Sequence, residues 1–406
     1  EPSGQQHERR ADRDAGGDSE NAFVHIRHCV HLVHFVNGIV NSGIGSSTGC
    51  AASWPHAPPP CPVLFQPLAV GLSSLKTPPQ FTDLFRSRAG PGGTMTFAHF
   101  MQLALYDPLL GYYRQPRRRV GRVPGTDFFT ADSSPLFGEL VAAACASLLA
   151  AHHAHPRDFT FVEIGAEPLD GDRDRPDGSV FANTPPPFGA TKTFRLGDPL
   201  ELNGRCVVFS NELFDAQPFR RFVFRRGVWR EFGVTLRDGS LAEVELPTLG
   251  EVEGLPATAP EGYCIDAPLQ AAALAAQIAA QPWNGLFLAF DYGKSWTELA
   301  EATPAGTARA YFRHAQSNDL LARPGEQDLT CHVCWDWLAN ALARHGFAAP
   351  RVESQESFFV HHAAEFLANA TVAEAGRFSE KKLSLLQLLH PAHLGQKFQV
   401  LSAWRD

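Results

Sequence analysis

FVEIGAEPLDGDRDRPDG, residues 161–178, carries an apolar run with one acid near its end, Phe161-Val162-Glu163-Ile164, straight into a glycine, Gly165. A strand that ends this way begins the turn that wraps a nucleotide or nucleoside cofactor in a doubly wound sheet. Glu163 and Gly165 are therefore candidate cofactor contacts. Such a turn needs further glycine and then a helix, so that the backbone can approach the ligand and present its amide N–H groups. Here the chain continues through Ala166-Glu167-Pro168, and Glu167-Pro168 stands where that glycine and helix start belong.

The flanking sequence has the period of an α/β domain. FTFVEIG (159–165), VVFSN (207–211) and GLFLAFDYG (285–293) read as buried strands. Helical spacing marks 96–107, with Thr96 as N-cap, then 135–154, 268–281 and 334–347, the last closed by Gly346. Residues 219–246 alternate in period two between glycine turns, as an antiparallel meander does. ESFFVHH and KFQVLSAW read as short strands bracketing a helical stretch near the end. Strands alternating with helices and closing on a strand pair predict an α/β sheet with a partly antiparallel edge.

Bulk properties narrow the function classes. The 406 residues exceed one typical domain, and 44% apolar with 11% aromatic residues is ample for a core. A net charge of −8 argues against a general nucleic-acid binder or a membrane-surface protein. No apolar run reaches the ~20 residues of a bilayer span. Eight cysteines over this length are no disulfide framework, so a reducing, cytoplasmic setting is expected. The first residues lack the order of a secretory signal, and a start at Glu1 fits a fragment or a displaced start.

Residues 1–77 read unlike the rest, and a disordered N-terminal extension is expected there. Its His25, His28, His31 and His34 recur every third residue, which drifts off one helix face and lacks supporting thiols or carboxylates, so no metal is assigned. Residues 78–406 form the expected folded domain: a helical part over 78–155, then an α/β core over 156–406 with insertions around 219–265 and 296–333.

Ligands of open α/β sheets sit beyond the carboxyl ends of the strands. Polar residues follow apolar runs at Glu163-Ile164-Gly165, Ser210-Asn211-Glu212 and Asp291-Tyr292-Gly293. With a helix beginning at Glu212, Glu212 and Asp215 share one face, a geometry that would orient a guanidinium and accept its proton. Those same residues could equally cap that helix, Asn211 as N-cap and the acids at its positive end. CHVC (331–334) has no second cysteine pair to make a zinc site. The basic run Arg114, Arg117, Arg118, Arg119 and Arg122 is expected to be a solvated face.

Several stretches resemble the MidA-like family of class I S-adenosylmethionine (SAM)-dependent methyltransferases, which includes mitochondrial complex I assembly-factor methyltransferases. They are MTFAHFMQLALYDPLLGYY, GTDFFTADSSPLFGELV, FVEIGAEP, FSNELFDAQPFRRFV, FLAFDYG, GTARAYFRHAQSNDLLARPGEQDLTCHV and HLGQKFQVL, in family order from about residue 78 to the end. The resemblance implies a Rossmann-like seven-stranded sheet, SAM as methyl donor and, as in the mitochondrial members, a protein arginine acceptor. It points to Gly125, Asp127, Thr130 and Glu139 beside the cofactor, with Thr126 intervening between a glycine and an acid that adjoin in the family. It also matches Asp328, Thr330 and His332 to an acceptor-side segment, with Cys334 where an acid is usual.

One departure bears on activity. Family members place a helix, a second strand whose terminal acid holds the ribose, and another helix after the first turn. Only about 46 residues separate Gly165 from Asn211, and they are rich in Pro, Gly and Asp without helical period. FRLGDPL (194–200) is expected to supply one short strand, and Asp198 the remaining cofactor-facing acid. The expected function is SAM-dependent N-methylation of a protein arginine, the acceptor being for instance a respiratory-complex subunit. Glu212, Asp215 and His332 are then the catalytic candidates, and Glu163, Gly165, Asp198 and Asn211 face the donor. The alternative is a methyltransferase fold with an impaired donor site that serves as a binding or assembly factor. A homodimer is one expected assembly.

Overall fold

A computed structural model describes residues 75–115, 119, 134–166, 179–182, 184–247, 254–376 and 379–406. The histidine repeat, the expected extension as far as residue 74, and the candidates Gly125, Asp127 and Thr130 lie outside the described residues. Residues 75–77 belong to the fold: the Thr77 hydroxyl accepts from Leu241 N–H at 3.1 Å and its own N–H donates to Gly239.

The chain opens with helix α1 (Pro79–Arg88), a short strand β1 (Thr94–Thr96) and helix α2 (Phe97–Tyr106). The Thr96 hydroxyl accepts from His99 N–H, the N-cap that the sequence predicts. Helix α3 (Pro135–Ala151) precedes strands β2 (Thr160–Ile164), β3 (Ala190–Phe194) and β4 (Gly204–Asn211). The meander follows as β5 (Arg220–Arg225), β6 (Val228–Arg237), β7 (Ser240–Glu245) and β8 (Cys264–Ala267). Helix α4 (Leu269–Ala279) leads into β9 (Trp283–Asp291), β10 (Gly293–Lys294) and helix α5 (Trp296–Glu301). Strands β11 (Arg309–Phe312), β12 (Ala315–Ser317), β13 (Asp328–Thr330) and β14 (Val333–Cys334) come next. The chain ends with α6 (Trp335–Arg344), β15 (Ala348–Ser354), α7 (Gln355–His362), α8 (Ala364–Ala373), α9 (Glu380–Leu389) and β16 (Gln399–Arg405).

The central sheet runs β15-β16-β9-β4-β2-β3. Strands β3, β2, β4 and β9 are parallel, while β16 lies antiparallel between β9 and β15. This is the α/β sheet with an antiparallel edge that the sequence predicts, with helices on both faces. Alternation along the strands explains the layering. Phe161, Val207, Phe209, Leu286, Leu288 and Phe290 face a core with α3, α7, α8 and α9. Val162, Cys206, Val208, Phe287 and Ala289 face the other core, with α4 and α6. Phe137 of α3 packs its ring against Phe209, Phe290 and Phe359 at centroid distances of 6.4, 5.5 and 6.0 Å. The meander forms a second sheet, β1-β6-β5-β8 with β7 on β6, which shares a third core with α1 and α2.

Several expectations need correction. The family's seven strands are six here among the described residues, because the connection from β2 to β4 holds one strand, β3. That strand lies at Ala190–Phe194 rather than 194–200: Thr160 to Ile164 pair in parallel with Ala190 to Phe194, and the chain turns at Gly197. The place beside β2 is thus filled, not bare. ESFFVHH is helical, in α7, because the Ser354 hydroxyl caps it by accepting from Ser357 N–H and both Phe358 and Phe359 enter the core. Tertiary burial outweighs the strand preference of the Phe-Phe-Val run. Arg119 is not solvated: it is buried and donates to the carbonyls of Tyr112, Tyr113 and Gln115, with its guanidinium 5.5 Å from both tyrosine ring centres. No described helix is long and apolar enough to cross a membrane.

Candidate functional site at the strand ends

The carboxyl ends of β2, β4 and β9 are neighbours, so Gly165, Asn211–Asp215 and Asp291 converge there. Gly165 has φ +88°, its N–H donates to Phe194 O, and a Cβ on it would come within 2.9 Å of a Leu213 methyl. Only glycine occupies that conformation without strain, which lets the backbone turn sharply off the strand. Glu163 is buried, and its carboxylate accepts from Val180 N–H and the Ser179 hydroxyl (3.0 and 2.7 Å). The acid on the strand therefore fastens the returning segment below the sheet end.

The sequence predicts a helix from Glu212, and the structure has none. Residues 212–217 form a loop instead, and Glu212 sits at φ +51°. A left-handed glutamate costs on the order of 1–2 kcal/mol and persists only where neighbours enforce it. The enforcing group is Asp291, fully buried at the end of β9. Its Oδ2 accepts from Phe214 N–H at 2.9 Å and Asp215 N–H at 3.2 Å, and its Oδ1 accepts from Tyr292 N–H at 2.8 Å. Glu212 N–H in turn donates to Phe290 O. Without a helix there is none for Asn211 to cap; its side chain donates to Glu212 Oε1 at 3.4 Å.

Asp215 is buried as well, 4% exposed, and its Oδ1 has no hydrogen-bond partner. Burial pushes its carboxyl well above the usual range, and Asp291, Glu212 and Asp328 add to the shift. Burial likewise raises Asp291 to about 7, even though its amide bonds pull the other way. Around these acids stands a ring of phenols. Tyr113 OH donates to Asp328 Oδ1 at 2.9 Å, and Tyr106 OH donates to Ala216 O at 2.8 Å, with the two tyrosine rings stacked 5.5 Å apart. Burial and the carboxylates keep Tyr113, Tyr292 and Tyr311 protonated.

The ALYDPLLGYY stretch places two of these phenols. Asp107 Oδ1 accepts from the N–H groups of Leu109 and Leu110, and Gly111 closes the turn, where a Cβ would strike Asp107 N at 2.5 Å. Composition gave no hint of the tyrosine ring; the spacing of Tyr106, Tyr112 and Tyr113 across a D-P-L-L-G turn was its one available signal.

Other candidates lie elsewhere. The main chain before His332 touches the site, since Cys331 N–H donates to Asp215 O at 3.0 Å. The His332 ring itself is pushed down to about 4 by burial, then by Lys294 and Arg309, and its Nδ1 has no partner. Asp198 is exposed and accepts from Arg195 N–H, so it serves the turn after β3. Glu139 is on α3 and pairs with Lys381 of α9 at 3.0 Å. Burial raises both thiols of CHVC, Cys334 to about 12. They stay protonated near neutrality.

Residues 192–352 match the family model described as "Putative S-adenosyl-L-methionine-dependent methyltransferase". The fold is similar to that of two solved structures from Burkholderia thailandensis. One, described as a "COG1565 superfamily member and likely methyl transferase" bound to S-adenosyl-homocysteine, has TM-score 0.69 at 26% identity, covering 82% of this chain and 95% of that one. The other, an uncharacterized COG1565 superfamily protein, has TM-score 0.66 at 24% identity over the same shares. The three-layer sheet here is the fold of these COG1565 structures. No curated protein matches the chain.

Proposed function

We propose that this protein is a SAM-dependent methyltransferase that modifies a nitrogen of a protein arginine side chain, with the acceptor held at Glu212 and Asp215. The observation that carries this reading is the buried, unpartnered Oδ1 of Asp215 beside a left-handed Glu212 at the end of a central strand. Carboxylates kept from water seek a cation, and a guanidinium offers several N–H donors in one plane to match them. The family match and the S-adenosyl-homocysteine of the similar structure support SAM as the methyl donor.

The residues present fit that donor at the strand ends. Gly165 opens the turn without a side chain, and Asn211 offers an amide at the end of β4; these would hold it. SAM supplies an electrophilic methyl group on a sulfonium. The chain's own part is to orient the acceptor nitrogen and take its proton. Asp215 suits the second task because its raised pKa makes it a competent base. His332, near 4, is too weak a base for it. A respiratory-complex subunit is the class of acceptor protein the family resemblance suggests.

Glu212→Gln keeps size and shape while removing the charge. Transfer of label from SAM to arginine-containing peptides should fall about 10²-fold as the acceptor loses its orienting charge, with the circular dichroism spectrum unchanged. Undiminished transfer would remove Glu212 from the acceptor site. A second reading, a binding or assembly factor, is favoured by one feature: Arg195, not an acid, follows β3. Such a factor would keep its partner in Glu212→Gln and give no heat with SAM.

A further inference from the structure

The site contains more carboxylate than a buried region can keep ionised. Asp215 and Asp291 are joined directly, Asp215 N–H donating to Asp291 Oδ2. Both are buried, and Asp291 acts on the Asp215 carboxyl as a like charge, so the two are not both ionised near neutrality. Their surroundings differ. Asp291 receives three backbone N–H groups on its two oxygens, the arrangement that stabilises an anion. The Asp215 carboxyl receives one, from Ala216, and its Oδ1 none, while the charges acting on it most are Asp291, Glu212 and Asp328. Above about pH 7 the single charge therefore belongs to Asp291, which also needs it to hold the Phe214–Asp215 loop.

We infer that the resting protein carries a proton on Asp215, and that the acceptor binds as a cation by displacing this proton into water. The inference rests on the acceptor reading above. One proton leaves as one positive guanidinium enters, so the net charge of the buried region is unchanged and no bond other than O–H breaks. Glu212, half-exposed, marks the side open to water. The other titratable groups facing the pair include Asp328, Cys331, Tyr113, Tyr292 and Tyr311, and the buried thiol and phenols stay protonated near neutrality. Acceptor binding should then strengthen as pH rises toward neutrality, because the competing proton becomes scarcer.

Infrared difference spectroscopy on the full chain tests this without any donor. At pH 8, above the point where Asp291 ionises, the wild type should show a protonated-carboxyl C=O band that Asp215→Asn lacks and Asp291→Asn retains or shifts. Methylguanidinium chloride should abolish the band, and one proton should be released per ion bound when the experiment is run in weak buffer. A band missing from the wild type, or lost only in Asp291→Asn, overturns the assignment of the proton. A band that saturating methylguanidinium leaves in place overturns the exchange. Should Asp215→Asn fail to fold, Asp215→Glu displaces the band instead, and an unmoved band counts against the proposal. Failure of methyl transfer to peptides with the band present and exchangeable would reject the enzymatic reading alone.

Discussion

At the scale of single residues, burial controls charge. Asp291 and His332 shift in opposite senses, and their linkage to stability differs in sign. Asp291 holds its proton up to about pH 7 when folded but loses it near 4 when unfolded. Its stabilising contribution is thus complete below about 4 and is lost as pH rises through about 7. His332 titrates near 4 when folded and near 6.5 when unfolded, so its contribution is present above 6.5 and is lost as pH falls through 4. Between these limits the two oppose each other. Urea unfolding of His332→Gln should therefore show stability falling with pH from about 4, where the wild type stays flatter. Matching profiles would mean that the ring is not desolvated. Gly165→Ala, at φ +88°, should cost roughly 1–2 kcal/mol in the same assay. No loss would mean that the turn after β2 adopts another conformation.

At the scale of elements, one buried ion network fastens the meander to the segment that leads into β11. Arg221 of β5 donates to both oxygens of Asp266 on β8 and to Glu243 on β7. Asp266 Oδ2 also accepts from Thr307 and Ala308 N–H, just before β11 and Tyr311. Asp266→Ala leaves buried Arg221 with Glu243 alone and strands the Thr307 and Ala308 amides, and should cost about 3–5 kcal/mol by equilibrium unfolding. A loss under 1 kcal/mol would show the network to be peripheral. Elements whose period or punctuation was strong were legible: α2 with its Thr96 cap, α3, β2, β4, β9 and the meander. Elements fixed by distant partners were not. Glu212 read as a helix start because nothing local reveals that Asp291, 76 or more residues away, claims the next amides. ESFFVHH read as a strand because the core awaiting Phe358 and Phe359 is built by α3 and β9. Of the site, the strand-end acids were legible from apolar runs that stop at polar residues, whereas the phenol ring depends on tertiary placement.

At the scale of the whole molecule, the sheet brings a glycine turn, buried acids and several tyrosines together at the carboxyl ends of β2, β4 and β9. In the crossover between β2 and β4, β3 fills the position beside β2. A donor site assembled on such an edge needs only that the turn at Gly165 and the β4 end keep their places. Isothermal titration calorimetry of the full chain with S-adenosyl-L-methionine tests this most directly. Saturable binding in the micromolar range, weakened in Gly165→Val, is the predicted result; absence of heat at millimolar SAM would contradict it.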